Sequence, residues 1–187
     1  MNYDALARSY DTRYKSRQSL AENDQVAKLL NQNISYGDIV ADIGCGTAFG
    51  LDCMEKMVCY TGYDISEAML EQASIKHPQA NFVHGGLKDL EGPNDAILSL
   101  FSLPYIDDGN LDRIPECLND DGRFIAVYYD KPYLNPDSVY HGKRGLFRRD
   151  VMPPLRRAIE ALRSLMDVKE EGQIGEGTYR FLVAEKP

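Results

Sequence analysis

The run "VADIGCGTAFGLD", residues 40 to 52, constrains the fold more than any other stretch. An apolar segment ends in Asp42, a turn carries Gly44 and Gly46, and a helical pattern opens behind them. Strand, glycine turn and helix in that order form the first part of a βα unit, whose strand needs a parallel neighbour reached by a crossover. The alternation continues along the chain. "VCYTGYD" (58–64), "ANFVHGG" (80–86), "DAILSLF" (95–101) and "GRFIAVYYD" (122–130) read as four further strands. "DVKEEGQ" (167–173) and "TYRFLVAEK" (178–186) read as two more, closing an antiparallel hairpin around "IGEG".

Helical spacing fills the gaps. Residues 20–31 turn Leu20, Val26, Leu29 and Leu30 to one face, and residues 66–76 open on Ser66 as N-cap with Ala68, Met69, Ala73 and Ile75 inward. Residues 110–119 offer Leu111, Ile114 and Leu118, with Pro115 interrupting. Residues 153–166 start on prolines and set Leu155, Ile159, Leu162 and Met166 on one side. With 187 residues and no internal repeat, this is the material of one α/β domain over residues 1–187.

Charge and cysteine usage narrow the function classes. The formal net charge of −8 repels polyanions, so extensive nucleic-acid binding is not expected. No apolar stretch approaches the roughly 20 residues of a membrane span, and "MNYDALARSYD" is too polar for a secretory signal. The cysteines, Cys45, Cys53, Cys59 and Cys117, form no CxxC pair and no zinc-like spacing with the histidines. A cytoplasmic protein with reduced thiols, no membrane anchor and no metal is expected.

The glycine turn excludes two common nucleotide sites. A dinucleotide-binding turn places a third glycine where Phe49 stands, and a P-loop needs a following G-K-[ST] that is missing. What remains is D-x-G-x-G, an acid before two glycines that expose backbone amides near a helix start. A carboxylate there is poor company for pyrophosphate and suits an ammonium. Asp64 ends the second strand, 20 residues after Gly44, where a carboxylate takes ribose hydroxyls. An adenosine with an ammonium and no phosphates is S-adenosylmethionine.

The chain resembles the class I S-adenosylmethionine-dependent methyltransferases of small-molecule type over nearly its whole length. "VADIGCGTAFG" is similar to that family's first motif, and "YTGYDISEAMLEQA" to its acidic second-strand motif. "DAILSLFSLPYI" resembles the fourth-strand motif, "LDRIPECLNDDGRFIAVYY" the segment that follows, and "YDALARSYDTRY" the N-terminal lid. The resemblance implies a Rossmann-like three-layer sandwich whose seven-stranded, mostly parallel sheet has the order 3-2-1-4-5-7-6, with strand 7 antiparallel. It divides the domain into an N-terminal helical segment and lid (1–36), a cofactor-binding half (37–130), and a substrate-side loop, helix and hairpin (131–187).

It also implies roles for residues. Asp42, Gly44, Cys45 and Gly46 shape the methionine end of the site, Asp64 binds the ribose, and Ile65 packs against adenine. The family's usual adenine-binding aspartate is missing after strand three, so adenine falls to the Leu87 backbone or Asp89. Ala48 stands where a third glycine is common, at little cost if its φ is negative. Leu100 and Tyr10 complete the cofactor side, Tyr10 through cation–π attraction to the sulfonium. Tyr14, Phe101, Tyr105 and Arg148 are expected on the acceptor side. Candidate bases are Tyr128, Tyr129, Asp130 and His141. The basic stretch 142–157 points to an anionic small-molecule acceptor, and its other reading is a solvated face. "SLPY" (102–105) is faintly similar to the N-P-P-Y turn of amino-group DNA methyltransferases, but the charge argues against DNA. The expected reaction moves a methyl group to oxygen or nitrogen. The competing class is a non-catalytic protein of the same fold that binds the cofactor or a partner.

Overall fold

The computed structural model describes residues 7, 10–11, 17–129, 139–140, 143–144, 152–175 and 179–187. Strands β1 (Ile39–Ile43), β2 (Cys59–Asp64), β3 (Asn81–His84), β4 (Asn94–Leu100) and β5 (Leu118–Tyr129) pair in parallel. A two-residue ladder, β6 (Val139–Tyr140) with β7 (Lys143–Arg144), stands apart from the main sheet. β8 (Asp167–Ile174) and β9 (Tyr179–Glu185) close the chain, β9 lying antiparallel between β5 and β8. The main sheet runs β3-β2-β1-β4-β5-β9-β8, which is the implied 3-2-1-4-5-7-6 once the small ladder is set aside.

Alternation along each strand divides the core into two layers. Ala41, Ile97, Phe124, Ala126 and Tyr128 face one side and pack against helix α5 (Met152–Leu165) through Leu155, Ala158 and Leu162. Val40, Leu98, Ile125 and Val127 face the other, against helix α1 (Arg17–Asn33) through Val26, Leu29 and Leu30. The central strands are buried on both faces, which is why their sequences read as continuous apolar runs. Among the described residues, no helix is long and apolar enough to cross a membrane.

Several local expectations are corrected. The helix behind the glycine turn, α2, is only Phe49–Asp52. The expected helix 110–119 shrinks to α4 (Arg113–Glu116), preceded by a tight turn at Asp108–Asn110. β5 takes the rest, because Leu118 pairs with Asn94 ahead of a bulge. Leu111, Ile114 and Leu118 are nonetheless all buried, so burial followed the sequence although conformation did not. Leu20 is 52% exposed and Ile75 71% exposed, leaving both apolar stripes narrower than their spacing suggested. Leu70 takes the inward place beside Met69 and Ala73 in α3 (Glu67–Lys76).

Ser66 begins α3 as expected, its Oγ accepting from the Met69 amide at 3.3 Å. That cap sits two residues after Asp64 and fixes the exit of β2 at the carboxyl edge. Ser66→Ala should therefore cost about 1 kcal/mol, and Ser66→Gly only a few tenths. Urea denaturation of the two variants checks the order.

Candidate functional site

A cavity of about 640 Å³ opens at the carboxyl edge where the chain leaves β1 and β4. These strands are neighbours whose following helices pass to opposite faces, which is where an open α/β sheet leaves a crevice. Gly44, Gly46, Asp64, Ile65, Leu87, Asp89 and Leu100 all line it, as do Tyr10, Phe101 and Tyr105. Seven places named from the sequence thus converge on one hollow: Tyr10, the glycine pair, Asp64–Ile65, Leu87, Asp89, Leu100–Phe101 and Tyr105. Tyr14, Asp130, His141 and Arg148 lie outside the described residues.

Asp64 organises the near wall. Its Oδ2 accepts from the Gly46 amide at 2.8 Å and its Oδ1 from the Ser66 amide at 2.9 Å. A carboxylate oxygen can accept more than one bond, so the pair stays competent toward hydroxyls. Ile65 beside it is 72% exposed within the cavity, a flat apolar platform. Across from it, Asp89 folds back so that its Oδ2 accepts from the Gly86 amide at 2.9 Å.

The glycine turn works differently from the sequence expectation. The Gly44 and Cys45 amides both bond the Tyr63 carbonyl, at 2.8 and 3.0 Å, and the Gly46 amide is held by Asp64. These amides join β1 to β2 and are not offered to a ligand, so no pyrophosphate cradle forms here. Gly44 is required for another reason. Its φ is +72°, and a Cβ there would lie 2.4 Å from the Ser102 Cβ. Ser102 itself donates to the Ile43 carbonyl and shares a 2.8 Å bond with Ser99. Ala48 is also left-handed, with φ 64°, which contradicts the expected negative φ; a left-handed alanine costs roughly 1–2 kcal/mol.

Two residues named from the first motif do not reach the cavity wall. The Cys45 side chain turns behind the turn against Gly62, and burial with nearby Asp42 and Asp64 pushes its thiol well above the ordinary value. Asp42 is buried beneath the turn, with Oδ2 accepting from the Tyr60 hydroxyl at 2.8 Å and Oδ1 unpartnered among the described residues. Burial raises its pKa to about 6 against the opposing effect of the Tyr60 bond, with Asp64 adding repulsion.

Tyr128 is a correction. It is buried in the α5 layer, where burial and the Glu171 carboxylate raise its phenol pKa. Strand alternation instead turns Tyr129 to the other face, against Phe101 at 5.5 Å and Tyr179 at 5.2 Å. The sequence named the pair but not which of them faced where. Not named as site residues from the sequence were His84, Lys88, Ser102, Asp107 and Asn110, all on the cavity wall. Only their nearness to strand ends could have signalled them. Asp107 caps its turn, accepting from the Gly109 amide and from Asn110 Nδ2. The N-terminal segment reaches the site through Asp11, which accepts from Thr47 Oγ1 and from Lys76 Nζ and so sets Tyr10 on the wall.

Residues 40–122 match the methyltransferase domain family. The chain has the fold of the class I methyltransferases. The TehB-like S-adenosylmethionine-dependent methyltransferase of Corynebacterium glutamicum superposes with a TM-score of 0.66 at 19% identity, covering 98% of this chain and 99% of that one. Magnesium protoporphyrin IX methyltransferase of Synechocystis, solved with bound S-adenosylmethionine, gives 0.65 at 17% identity over 99% and 95%. An uncharacterized protein of Methanocaldococcus jannaschii, MJ1252, is 35% identical over 145 residues, 71% of this chain and 53% of that protein. The domain thus spans about half the length of this curated relative.

The buried Asp42 yields a stability prediction. Its folded pKa lies above the unfolded value of 3.8, so the native state keeps a proton that the unfolded chain has lost between about pH 4 and 6. This group's contribution to stability therefore falls as pH rises through that window, then levels. Asp42→Asn removes the dependence. Relative to wild type, the variant should gain about 2–3 kcal/mol between pH 4 and pH 7. Denaturant midpoints across that range measure it, and a constant difference would assign the titration to another group.

Proposed function

We propose that the domain is an S-adenosylmethionine-dependent methyltransferase that moves a methyl group to an oxygen or nitrogen of a small-molecule acceptor. The observation that carries this is the pairing of Asp64, on the edge of β2, with a glycine turn whose amides are already spent. That wall suits ribose hydroxyls and refuses the pyrophosphate of a dinucleotide.

In this reading Asp64 accepts from the ribose hydroxyls and Ile65 lies under the adenine. The Leu87 backbone and Asp89 meet the adenine edge, while Gly44 and Gly46 leave room for the methionine part. Leu100 and Tyr10 close the cofactor side. Asp42 acts on the ammonium from behind the turn, through a bridging water or through its field. When bound, S-adenosylmethionine supplies a methyl group already activated on a sulfonium. The protein's share is then to hold an acceptor atom in line and exclude water. Phe101 and Tyr105 form the described acceptor wall, with Tyr14 and Arg148 expected beside them. A base is optional for a neutral amine and useful for a hydroxyl; with Tyr128 in the core, Asp130 and His141 keep that candidacy. The net charge of −8 favours a small molecule over nucleic acid, and the cysteine usage fits a cytoplasmic setting.

The chain is expected to bind S-adenosylmethionine and S-adenosylhomocysteine and not NAD. Asp64→Ala should weaken adenosyl-ligand binding by about 1.5–3 kcal/mol, the loss of a charge-assisted bond. Calorimetry with the three ligands decides. NAD binding without adenosyl binding would overturn the proposal, and adenosyl binding without turnover on any acceptor would leave the non-catalytic reading.

A further inference from the structure

The cavity has two chemically different ends. The β3 side supplies His84, Lys88 and Asp89, with Ile65 and Asp64 next to them. The β4 side supplies Phe101, Tyr105, Ile106 and Asp107. Between Leu100 and Asp112 the sequence holds no lysine, arginine or histidine, while Asp107, Asp108 and Asp112 are all acidic.

The aromatic part of this wall is built to stay in place. Phe101 adopts φ 62°, a left-handed conformation that a bulky side chain takes only when its surroundings impose it. Its amide bonds the Val127 carbonyl at 2.7 Å, and its ring meets Tyr179 edge-on at 4.9 Å. Ser102, the next residue, is pinned to Ile43. The Asp107 carboxylate is oriented by its bonds to Gly109 and Asn110, and both oxygens retain acceptor capacity. A fixed aromatic face beside an oriented carboxylate, in a stretch without cations, is complementary to a flat group bearing an amine.

We propose that the β4 side of the cavity, Phe101 and Tyr105 with Asp107, binds an aromatic amine as the methyl acceptor. The aromatic ring lies against the Phe101–Tyr105 wall and the ammonium meets the Asp107 carboxylate. This deepens the methyltransferase reading and rests on it for the word acceptor. The amine site itself needs only the described wall. It runs against the anionic acceptor expected from the 142–157 stretch, whose Arg148 and Arg149 lie outside the described residues.

The test is calorimetry on the whole chain, with and without saturating S-adenosylhomocysteine, using three probes. Phenethylamine is the aromatic amine, phenylacetate its anionic counterpart, and cyclohexylethylamine the amine without an aromatic ring. Phenethylamine should bind about tenfold more tightly than phenylacetate, a difference of about 1.4 kcal/mol, and more tightly than cyclohexylethylamine. Asp107→Asn should erase the first preference and Tyr105→Leu reduce the second, with melting temperatures confirming that both variants fold. Equal or tighter binding of phenylacetate overturns the proposal even if a variant fails to fold. Binding of S-adenosylhomocysteine with no amine binding in either arm overturns the amine site and leaves the transferase reading standing. Amine binding without S-adenosylhomocysteine binding does the reverse.

Discussion

The close passage of the chain after β4 across the chain after β1 sets the shape of everything above it. Ser102 sits so near Gly44 that no Cβ fits between them, and its hydroxyl is spent on the Ile43 carbonyl. That contact pins the glycine turn and fixes where Phe101 and Tyr105 point. Two residues in this region, Ala48 and Phe101, have a left-handed backbone. The strain is local, and the hydrogen bonds across the crevice hold it.

Beneath the turn lies a second constraint of opposite sign. Asp42 is buried with a single hydrogen-bond partner among the described residues, and burial disfavours its charged form. A core that wanted only stability would place an apolar residue there. The carboxylate is tolerated because the surrounding strands are buried on both faces and supply the necessary stabilisation. Its negative field, close behind the cavity, is the compensation that a cationic ligand would return. Sites of this kind keep polar groups that folding alone does not favour.

Much of the site was legible because its parts sit at strand ends. Asp64, Ile65, Leu100 and Phe101 follow from finding β2 and β4, since side chains at the carboxyl edge of a parallel sheet face the crevice. Tyr128 fails that logic by one residue. A strand turns successive side chains to opposite faces, so an error of one position exchanges a cavity residue for a core residue. Cys45 fails for a related reason: its place in the motif is right, but its side chain turns toward Gly62. His84, Lys88 and Asn110 carried no pattern of their own and became visible only once the ends of β3 and β4, on either side of β2 and β1, opened onto one cavity.

The sequence by itself determined the order of the main elements, the buried apolar faces and the identity of the acids near the end of β1 and at the end of β2. Those depend on local spacing, and the periods of strands and helices are written in the residues. It did not determine which backbone amides of the glycine turn were spent, because Tyr63 and Asp64 reach them only across the sheet. Nor did it determine the sign of φ at Ala48 or Phe101, which no local spacing encodes. Charge shows the same division. The excess of acidic residues is plain in composition, but that Asp42 is buried and Asp107 faces a cavity is a consequence of tertiary structure, because desolvation and field depend on what surrounds a group rather than on its neighbours in sequence.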